Sequence, residues 1–162
     1  MFPEALLSRA RDLLEAARAA DTRIVTAESC TGGLIVALLT EIPGSSDVVE
    51  RGFVTYSNQA KRDLLGVPED LLRTHGAVSE PVCRAMVQGA LRNAPAQLGV
   101  AVTGIAGPGG GSLEKPVGLV YIAAASRTGN VIVREHRFGD IGRGPVRLRA
   151  VEEALALLHG CL

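Results

Sequence analysis

Residues 26–33, TAESCTGG, place a hydroxyl, a thiol and two glycines where a strand is expected to end and a helix to begin. Ser29 in such a turn could act as a nucleophile, because N–H groups at a helix start lack intrahelical acceptors and can stabilise an oxyanion. Glycines also let a substrate approach the backbone closely. The predicted binding residues of the turn are Cys30, Thr31, Gly32 and Gly33. The alternative is a simple helix cap formed by Ser29 or Thr31, and the turn is not a G-x-S-x-G nucleophile elbow.

Residues 55–61, TYSNQAK, contain two further candidates, Tyr56 and Lys61, at a predicted strand-to-helix junction. A serine nucleophile needs a base, and a lysine can serve when its surroundings lower its pKa. The chain has 15 Arg but only two Lys. Because a guanidinium cannot be deprotonated in practice, only lysine of these two cationic residue types can act as a base. The alternatives are a solvated lysine on a helix surface and a tyrosine that packs in the core or across strands.

A glycine-rich loop, TGIAGPGGG at residues 103–111, follows directly after another predicted strand. Backbone N–H groups of such a loop can bind a phosphate or a ribose, with Thr103, Gly104 and Gly107 as candidate binding residues. The loop is neither a P-loop nor a dinucleotide-binding motif, because Lys115-Pro116 leads into a strand rather than a helix. A plain tight turn is the alternative interpretation.

An arginine cluster lies near the end of the chain and consists of Arg134, Arg137, Arg143, Arg147 and Arg149. Within it, Arg143 and Arg147 are four residues apart on one face of a predicted helix, so they could bind a phosphate bidentately. A solvated helix face that pairs with Glu152 or Glu153 is the competing interpretation.

The composition indicates a folded protein with one domain, residues 1–162. Apolar residues make up 47% of the chain and aromatic residues only 3%, so the core must be largely aliphatic. The formal net charge is zero, which argues against binding to nucleic acid. No apolar stretch reaches the roughly 18 residues of a membrane span, and the amphipathic N-terminal segment is unlike a signal peptide. We therefore expect no membrane association and a cytoplasmic location.

The positions of cysteine and histidine argue against disulfides and metal sites. The residues are Cys30, Cys83 and Cys161, and His75, His136 and His159. The cysteines form no C-x-x-C pair, and the histidines show no metal-ligand spacing. We expect no metal and no protein-held cofactor. The small size and an apolar helix face favour a homo-oligomer.

Apolar periodicity and turn residues predict alternating helices and strands. The predicted helices cover residues 4–20, 34–42, 58–65, 80–92 and 143–158, with a further helical turn at Pro68. The predicted strands cover residues 23–27, 51–57, 98–103, 117–125 and 130–138, and the last two should form a hairpin. This order predicts an α/β fold, specifically a three-layer α/β/α sandwich with a mixed, mostly parallel sheet.

Several long blocks resemble the CinA C-terminal domain family, whose stand-alone form acts as a nicotinamide-nucleotide amidase. The blocks are TAESCTGGL (26–34), IPGSSDVVERGFVTYSNQAKRDLLGV (42–67), HGAVSE (75–80), VAVTGIAGPGGG (100–111) and KPVGLVYIA (115–123). The resemblance implies hydrolysis of nicotinamide mononucleotide to nicotinate mononucleotide and ammonia, as a step in pyridine nucleotide recycling, with no required metal or organic cofactor. It places the family's proposed catalytic residues on Ser29, Tyr56 and Lys61, with Lys61 taking the serine proton directly or through Tyr56.

One departure from the family pattern lies near the end of the chain. Family members resemble G-D-R before an arginine-bearing helix, whereas Gly139-Asp140 is followed here by Ile141, with Arg143 two positions later. Either Arg143 or Arg147 could then contact the substrate phosphate. Two other functions stay open, namely a non-catalytic binding protein associated with competence or DNA damage, and a different amidase or an enzyme that uses Cys30.

Overall fold

The computed structural model describes residues 1–162 and contains one five-stranded sheet between two layers of helices. The helices are α1 (Glu4–Ala19), α2 (Leu34–Thr40), α3 (Asn58–Leu65), α4 (Glu69–His75), α5 (Glu80–Arg92) and α6 (Arg143–His159). The strands are β1 (Ile24–Glu28), β2 (Val49–Val54), β3 (Leu98–Gly104), β4 (Leu119–Ser126) and β5 (Val131–Arg137). No helix has the length and apolar character needed to cross a membrane.

The sheet is mixed, and its strand order is β2-β1-β3-β4-β5. Strand β1 pairs in parallel with β2 and β3, whereas β4 pairs antiparallel with both β3 and β5. Strand β4 alone therefore runs against the other four strands. The structure confirms the predicted mixed sheet and the hairpin formed by its last two strands.

The two faces of the sheet carry separate hydrophobic clusters. Helices α1, α2 and α6 pack on one face, and α3, α4 and α5 pack on the other. Successive residues of β3 alternate between the clusters, because side chains of a strand point to opposite faces: Val100 and Val102 join the first, and Ala101 joins the second. This arrangement confirms the α/β/α sandwich.

Helix α5 lies very close to the end of α3. A Cβ atom on Gly89 of α5 would lie 2.0 Å from the carbonyl oxygen of Leu65, so only glycine permits this approach. Gly66 then ends α3 in the left-handed region, with a φ of 63°. The contact fixes the helix that carries Lys61.

The three neighbouring parallel strands bring the three sequence motifs to one edge of the sheet. Ser29 follows β1, Tyr56 follows β2 by two residues, and Thr103 lies at the end of β3. Ligands of open α/β sheets bind outside the carboxyl ends of parallel strands. This edge is therefore where a functional site is expected.

Some element boundaries differ from the sequence prediction. Strand β2 covers Val49–Val54 rather than residues 51–57, because the chain leaves the sheet before Tyr56. Helix α2 ends at Thr40, two residues before the predicted end, and the Thr40 hydroxyl donates to the carbonyl oxygen of Val36 at 2.8 Å.

Candidate active site

Ser29 and Lys61 are in direct contact at this edge of the sheet. The Ser57 hydroxyl caps α3 by accepting a hydrogen bond from the Ala60 N–H group, and Lys61 follows in the same turn. The Lys61 side chain is only 1% exposed. Its Nζ atom lies 3.0 Å from Ser29 Oγ and donates to the Thr55 carbonyl oxygen at 2.8 Å. The structure thus brings two of the three predicted catalytic residues within hydrogen-bond distance.

Burial lowers the pKa of the Lys61 amine from 10.5 to about 8. A larger fraction of the amine is therefore neutral near pH 7 than in a solvated lysine. Both hydrogen-bond partners of Nζ are uncharged, since one is a hydroxyl and the other a carbonyl. A neutral amine can donate to the Thr55 carbonyl and accept the proton of Ser29 through its lone pair. This is the geometry of a general base beside its nucleophile.

Cys30 lies beside Ser29 but has the properties of a weak nucleophile. The side chain is buried, and burial raises the pKa of its thiol to about 12. At neutral pH the thiol stays protonated, whereas the thiolate is the reactive form. These properties favour Ser29 over Cys30.

The buried carboxylate of Glu28 holds the start of α2. It accepts backbone hydrogen bonds at 3.1, 3.0 and 2.9 Å from the N–H groups of Gly33, Ile35 and Val36. The Thr26 hydroxyl donates to the same carboxylate at 3.3 Å. The Leu34 N–H donates to the Thr31 carbonyl, so the N–H groups at the start of α2 are all occupied within the protein itself.

The backbone groups left for an oxyanion are fewer than the sequence predicted. The Gly32 N–H donates to the Ser29 carbonyl, and the Gly33 N–H donates to the carboxylate described above, because α2 begins only after them. The N–H groups of Cys30 and Thr31 donate to no other residue. Thr31 is fully buried, so the Cys30 N–H, which directly follows Ser29, is the available oxyanion donor of the turn.

A cleft of about 290 Å³ opens over Ser29 and Lys61, which is at the lower end of the range for small-molecule sites. The predicted site residues that line it are Ser29, Cys30, Tyr56, Lys61, Thr103, Gly104, Gly107 and Arg143. The remaining lining residues are Ala77, Val78, Ile105, Ala106, Gly109 and Gly110. The predicted binding residues that do not line it are Thr31, Gly32, Gly33 and Arg147.

Arg143, the first residue of α6, joins two sides of the cleft. Its Nη1 atom donates to the Gly107 carbonyl at 2.9 Å, and its Nη2 atom donates to the Tyr56 hydroxyl at 2.9 Å. Tyr56 is 61% exposed, so its hydroxyl lies near the surface with Arg143. Because Lys61 already contacts Ser29, proton transfer between them needs no relay through Tyr56.

Arg147, one turn further along α6, contacts the backbone of the turn that carries Ser29. Its Nε atom donates to the Cys30 carbonyl at 3.0 Å, and its Nη2 atom donates to the Thr31 carbonyl at 2.8 Å. Of the two arginines considered for a phosphate, the structure thus places only Arg143 in the cleft.

The glycine-rich loop adds unpaired backbone donors to the cleft. The N–H groups of Gly107, Gly109 and Gly110 donate no hydrogen bond within the chain, which suits an anionic ligand. No Asp or Glu lines the cleft, and its charged side chains are Lys61 and Arg143. The whole structure contains no group of three or more His, Cys, Asp or Glu side chains that could hold a metal ion.

Sequence reasoning did not identify several residues of the site. Glu28 could have been found, because it is a lone acidic residue at the end of an apolar strand. The role of Thr55 had no signal, because it depends on a backbone carbonyl that every residue has. Ala77 and Val78 reach the cleft because the Thr103 hydroxyl donates to the Ala77 carbonyl at 2.9 Å, a contact between distant parts of the chain.

Known proteins with similar sequences point to one family. The family model described as CinA C-terminal domain matches residues 7–162. The nicotinamide-nucleotide amidohydrolase PncC of Escherichia coli strain K12 is 48% identical over 159 residues, which cover 98% of this chain and 95% of that protein. A CinA-like protein of Syntrophobacter fumaroxidans is 54% identical over 136 residues, or 84% of this chain, but the match spans only 32% of that longer protein.

Solved structures agree with this grouping. The crystal structure of the competence/damage inducible protein CihA from Agrobacterium tumefaciens matches with a TM-score of 0.97 and 54% identity, and covers 99% of this chain and 97% of that one. The competence damage-inducible protein A from Klebsiella pneumoniae matches with a TM-score of 0.91 and 35% identity, and covers 96% and 95% of the two chains. The chain described here therefore belongs to the CinA C-terminal domain family.

Proposed function

We propose that this protein is an amidohydrolase that converts nicotinamide mononucleotide to nicotinate mononucleotide and ammonia. The observation that carries the proposal is the contact between Ser29 Oγ and the buried amine of Lys61, in an open cleft that contains no acidic side chain. The similarity over nearly the whole chain to a protein named nicotinamide-nucleotide amidohydrolase supports the same reaction.

In the proposed mechanism, Ser29 attacks the carboxamide carbon while its hydroxyl proton passes to neutral Lys61. The N–H group of Cys30 stabilises the tetrahedral oxyanion. Protonated Lys61 then gives the proton to the departing nitrogen, the C–N bond breaks, and ammonia leaves an acyl-enzyme. A water molecule attacks this ester, with Lys61 again accepting a proton and returning it to Ser29 Oγ as nicotinate mononucleotide is released.

The charges of the cleft match the anionic end of the proposed substrate. Arg143 uses two of its five N–H donors on Gly107 and Tyr56, so donors remain for a phosphate. The free N–H groups of Gly109 and Gly110 can bind phosphate or ribose oxygens. The pyridinium ring withdraws electrons from the carboxamide, which makes its carbonyl carbon easier for a serine to attack.

The proposed setting is the cytoplasm, with the protein as a homo-oligomer. All three cysteines are free and two of them are buried, as expected for a reducing compartment. Ile132 and Ile141 are exposed large apolar side chains that contact with a second copy would cover. Sedimentation velocity of the purified protein tests the assembly, and a purely monomeric species would contradict it.

The deciding experiment measures ammonia release from nicotinamide mononucleotide by the purified wild type, Ser29→Ala and Cys30→Ala. We expect release by the wild type and Cys30→Ala, and none by Ser29→Ala. Release by Ser29→Ala but not by Cys30→Ala would move the nucleophile to the thiol. A folded wild type that releases no ammonia would contradict the proposed reaction and leave the non-catalytic binding role as the better hypothesis.

A further inference from the structure

Two charged side chains of opposite sign hold the turn that carries Ser29. The Glu28 carboxylate, which is fully buried, accepts from the N–H groups at the start of α2. The Arg147 guanidinium donates to the two carbonyls that directly follow Ser29, those of Cys30 and Thr31. The turn is thus bound through its N–H groups by one side chain and through its carbonyls by the other.

These contacts set the direction of the two unpaired N–H groups. In a planar trans peptide the N–H points opposite to the C=O of the same unit. Because the Cys30 carbonyl points to Arg147, the Thr31 N–H points away from that side chain. Arg147 also binds the Thr31 carbonyl, so the Gly32 N–H of the same peptide unit points to the opposite side, where it donates to the Ser29 carbonyl. The Cys30 N–H, in the peptide unit of that carbonyl, therefore points away from Gly32. Both unpaired groups are therefore oriented by bonds made to their peptide partners.

Neither charged group has a role in ordinary ion pairing. Glu28 and Arg147 form no salt bridge with each other, and all their hydrogen bonds go to backbone atoms or to the Thr26 hydroxyl. The guanidinium packs directly on the turn, since a Cβ atom on Gly32 would lie 3.3 Å from Arg147 Nη2. The interactions of both side chains are directed at backbone geometry.

We propose that Glu28 and Arg147 are positioning residues that fix the Cys30 N–H group where it stabilises the oxyanion formed at Ser29. This inference rests on the proposed function of Ser29 as the nucleophile. Neither residue touches the substrate, and neither takes part in proton transfer. Both act through the backbone of one turn, so their loss should slow bond formation at Ser29 while substrate binding at Arg143 persists.

The test uses two substitutions, each with a matched control. Glu28→Gln keeps the size of the side chain but turns an –NH₂ group toward backbone donors, and Arg147→Lys keeps the charge but loses the two-carbonyl contact. Glu41→Gln, at the exposed far end of α2, repeats the first change away from the turn. Arg149→Lys, exposed on α6, repeats the second.

The first measurement is the rate at which a fluorophosphonate ester labels Ser29, followed by intact mass. Ser29 Oγ forms a bond to phosphorus, fluoride leaves, and the hydroxyl proton goes to Lys61, while the phosphoryl oxygen occupies the oxyanion position. The amplitude of labelling reports the folded fraction, and the rate constant reports the geometry of the turn. We expect full amplitude with rate constants about tenfold to a hundredfold lower in Glu28→Gln and Arg147→Lys, and control rates within about twofold of the wild type.

Labelling of Glu28→Gln and Arg147→Lys at the wild-type rate would overturn the inference. If Glu28→Gln does not fold, Arg147→Lys alone decides, because it removes no buried carboxylate. With nicotinamide mononucleotide, kcat should fall in parallel with the labelling rate while KM changes by less than about threefold. A wild type that is labelled but does not hydrolyse this nucleotide contradicts the proposed substrate alone, and the labelling rates still decide the inference. A wild type that is neither labelled nor active contradicts both.

Discussion

The buried amine of Lys61 should control both the activity and the stability of this protein as the pH changes. Its pKa is lowered to about 8 by burial, so about one molecule in ten carries the neutral base at pH 7. If neutral Lys61 is the base, kcat/KM rises about tenfold for each pH unit below 8 and becomes constant above it. An ordinary solvated lysine would instead place the midpoint near 10.5.

The same shift predicts the sign and size of a stability change. Between pH 8 and 10.5 the unfolded chain keeps its lysine protonated while the folded chain has lost the proton, so the free energy of unfolding rises with pH. Each tenfold difference in proton affinity is worth about 1.4 kcal/mol, so the rise across this window is about 3 kcal/mol. Below pH 8 both states are protonated, and the cost of burying the charge is fully present.

Urea unfolding at intervals from pH 6 to pH 10.5 measures this effect in the wild type and in Lys61→Met. The buried thiol of Cys30, with its raised pKa, acts in the opposite direction above pH 9, but it is present in both proteins and largely cancels in the difference. The free energy of unfolding of the wild type minus that of Lys61→Met should be constant below about pH 7 and rise by about 3 kcal/mol toward pH 10.5. Lys115→Met, at the only other lysine, should show the wild-type pH dependence of stability and the wild-type pH midpoint of activity.

If this difference in the free energy of unfolding does not rise with pH, folding does not lower the pKa of Lys61. A plateau of kcat/KM that begins below pH 7 would show that another group provides the base, and a rise that continues through pH 10 would show that the base is not an amine with a lowered pKa. Lys61→Arg should be inactive at every pH in this range, because its guanidinium stays protonated.

Three further outcomes test the cleft. Arg143→Gln should raise KM for nicotinamide mononucleotide about tenfold or more in steady-state assays, and should change KM for the riboside, which lacks the phosphate, by less than twofold. Tyr56→Phe should lower kcat by less than about tenfold, because Ser29 reaches its base without the phenol; a loss of a thousandfold would make Tyr56 part of proton transfer. Gly107 has a φ of 82°, and a Cβ there would lie 2.7 Å from a neighbouring side chain, so Gly107→Ala should lower the free energy of unfolding in urea by about 1–2 kcal/mol. Gly109→Ala, where the added Cβ meets open space, should change it by less than about 0.5 kcal/mol.

The fold was predictable from the sequence wherever periodicity and turn residues agreed. The apolar run that becomes β3 and the amphipathic pattern of α6 each have one physical interpretation, and the structure confirms both. The strand order was not predictable, because it depends on which faces pack together. Helix α2, between β1 and β2, packs on one face, and the helices between β2 and β3 pack on the other, so right-handed crossovers place β2 and β3 on opposite sides of β1. No local sequence pattern reports which face each helix covers.

The residues of the site were more predictable than their roles. Ser29 and Lys61 could be chosen because few residue types can act as nucleophile or base, and the structure places them in contact. The role of Arg147 was less accessible, since an arginine four residues from Arg143 on a helix suits a phosphate equally well by spacing alone. Its actual contacts are backbone carbonyls of a turn more than a hundred residues away in the chain, and only the tertiary structure shows this.

The placement of acidic groups is compatible with the proposed role of Lys61 as a base. A carboxylate beside Lys61 would stabilise the ammonium form and raise the pKa of the amine again. Glu28 is the only fully buried acidic residue, it is the neighbour of Ser29 in the chain, and its oxygens are directed to N–H groups of α2 rather than to the amine. The cleft itself contains no acidic side chain. The protein thus uses its one buried carboxylate to hold a turn, and burial governs the pKa of the amine, which is the condition that the proposed role of Lys61 as the base for Ser29 requires.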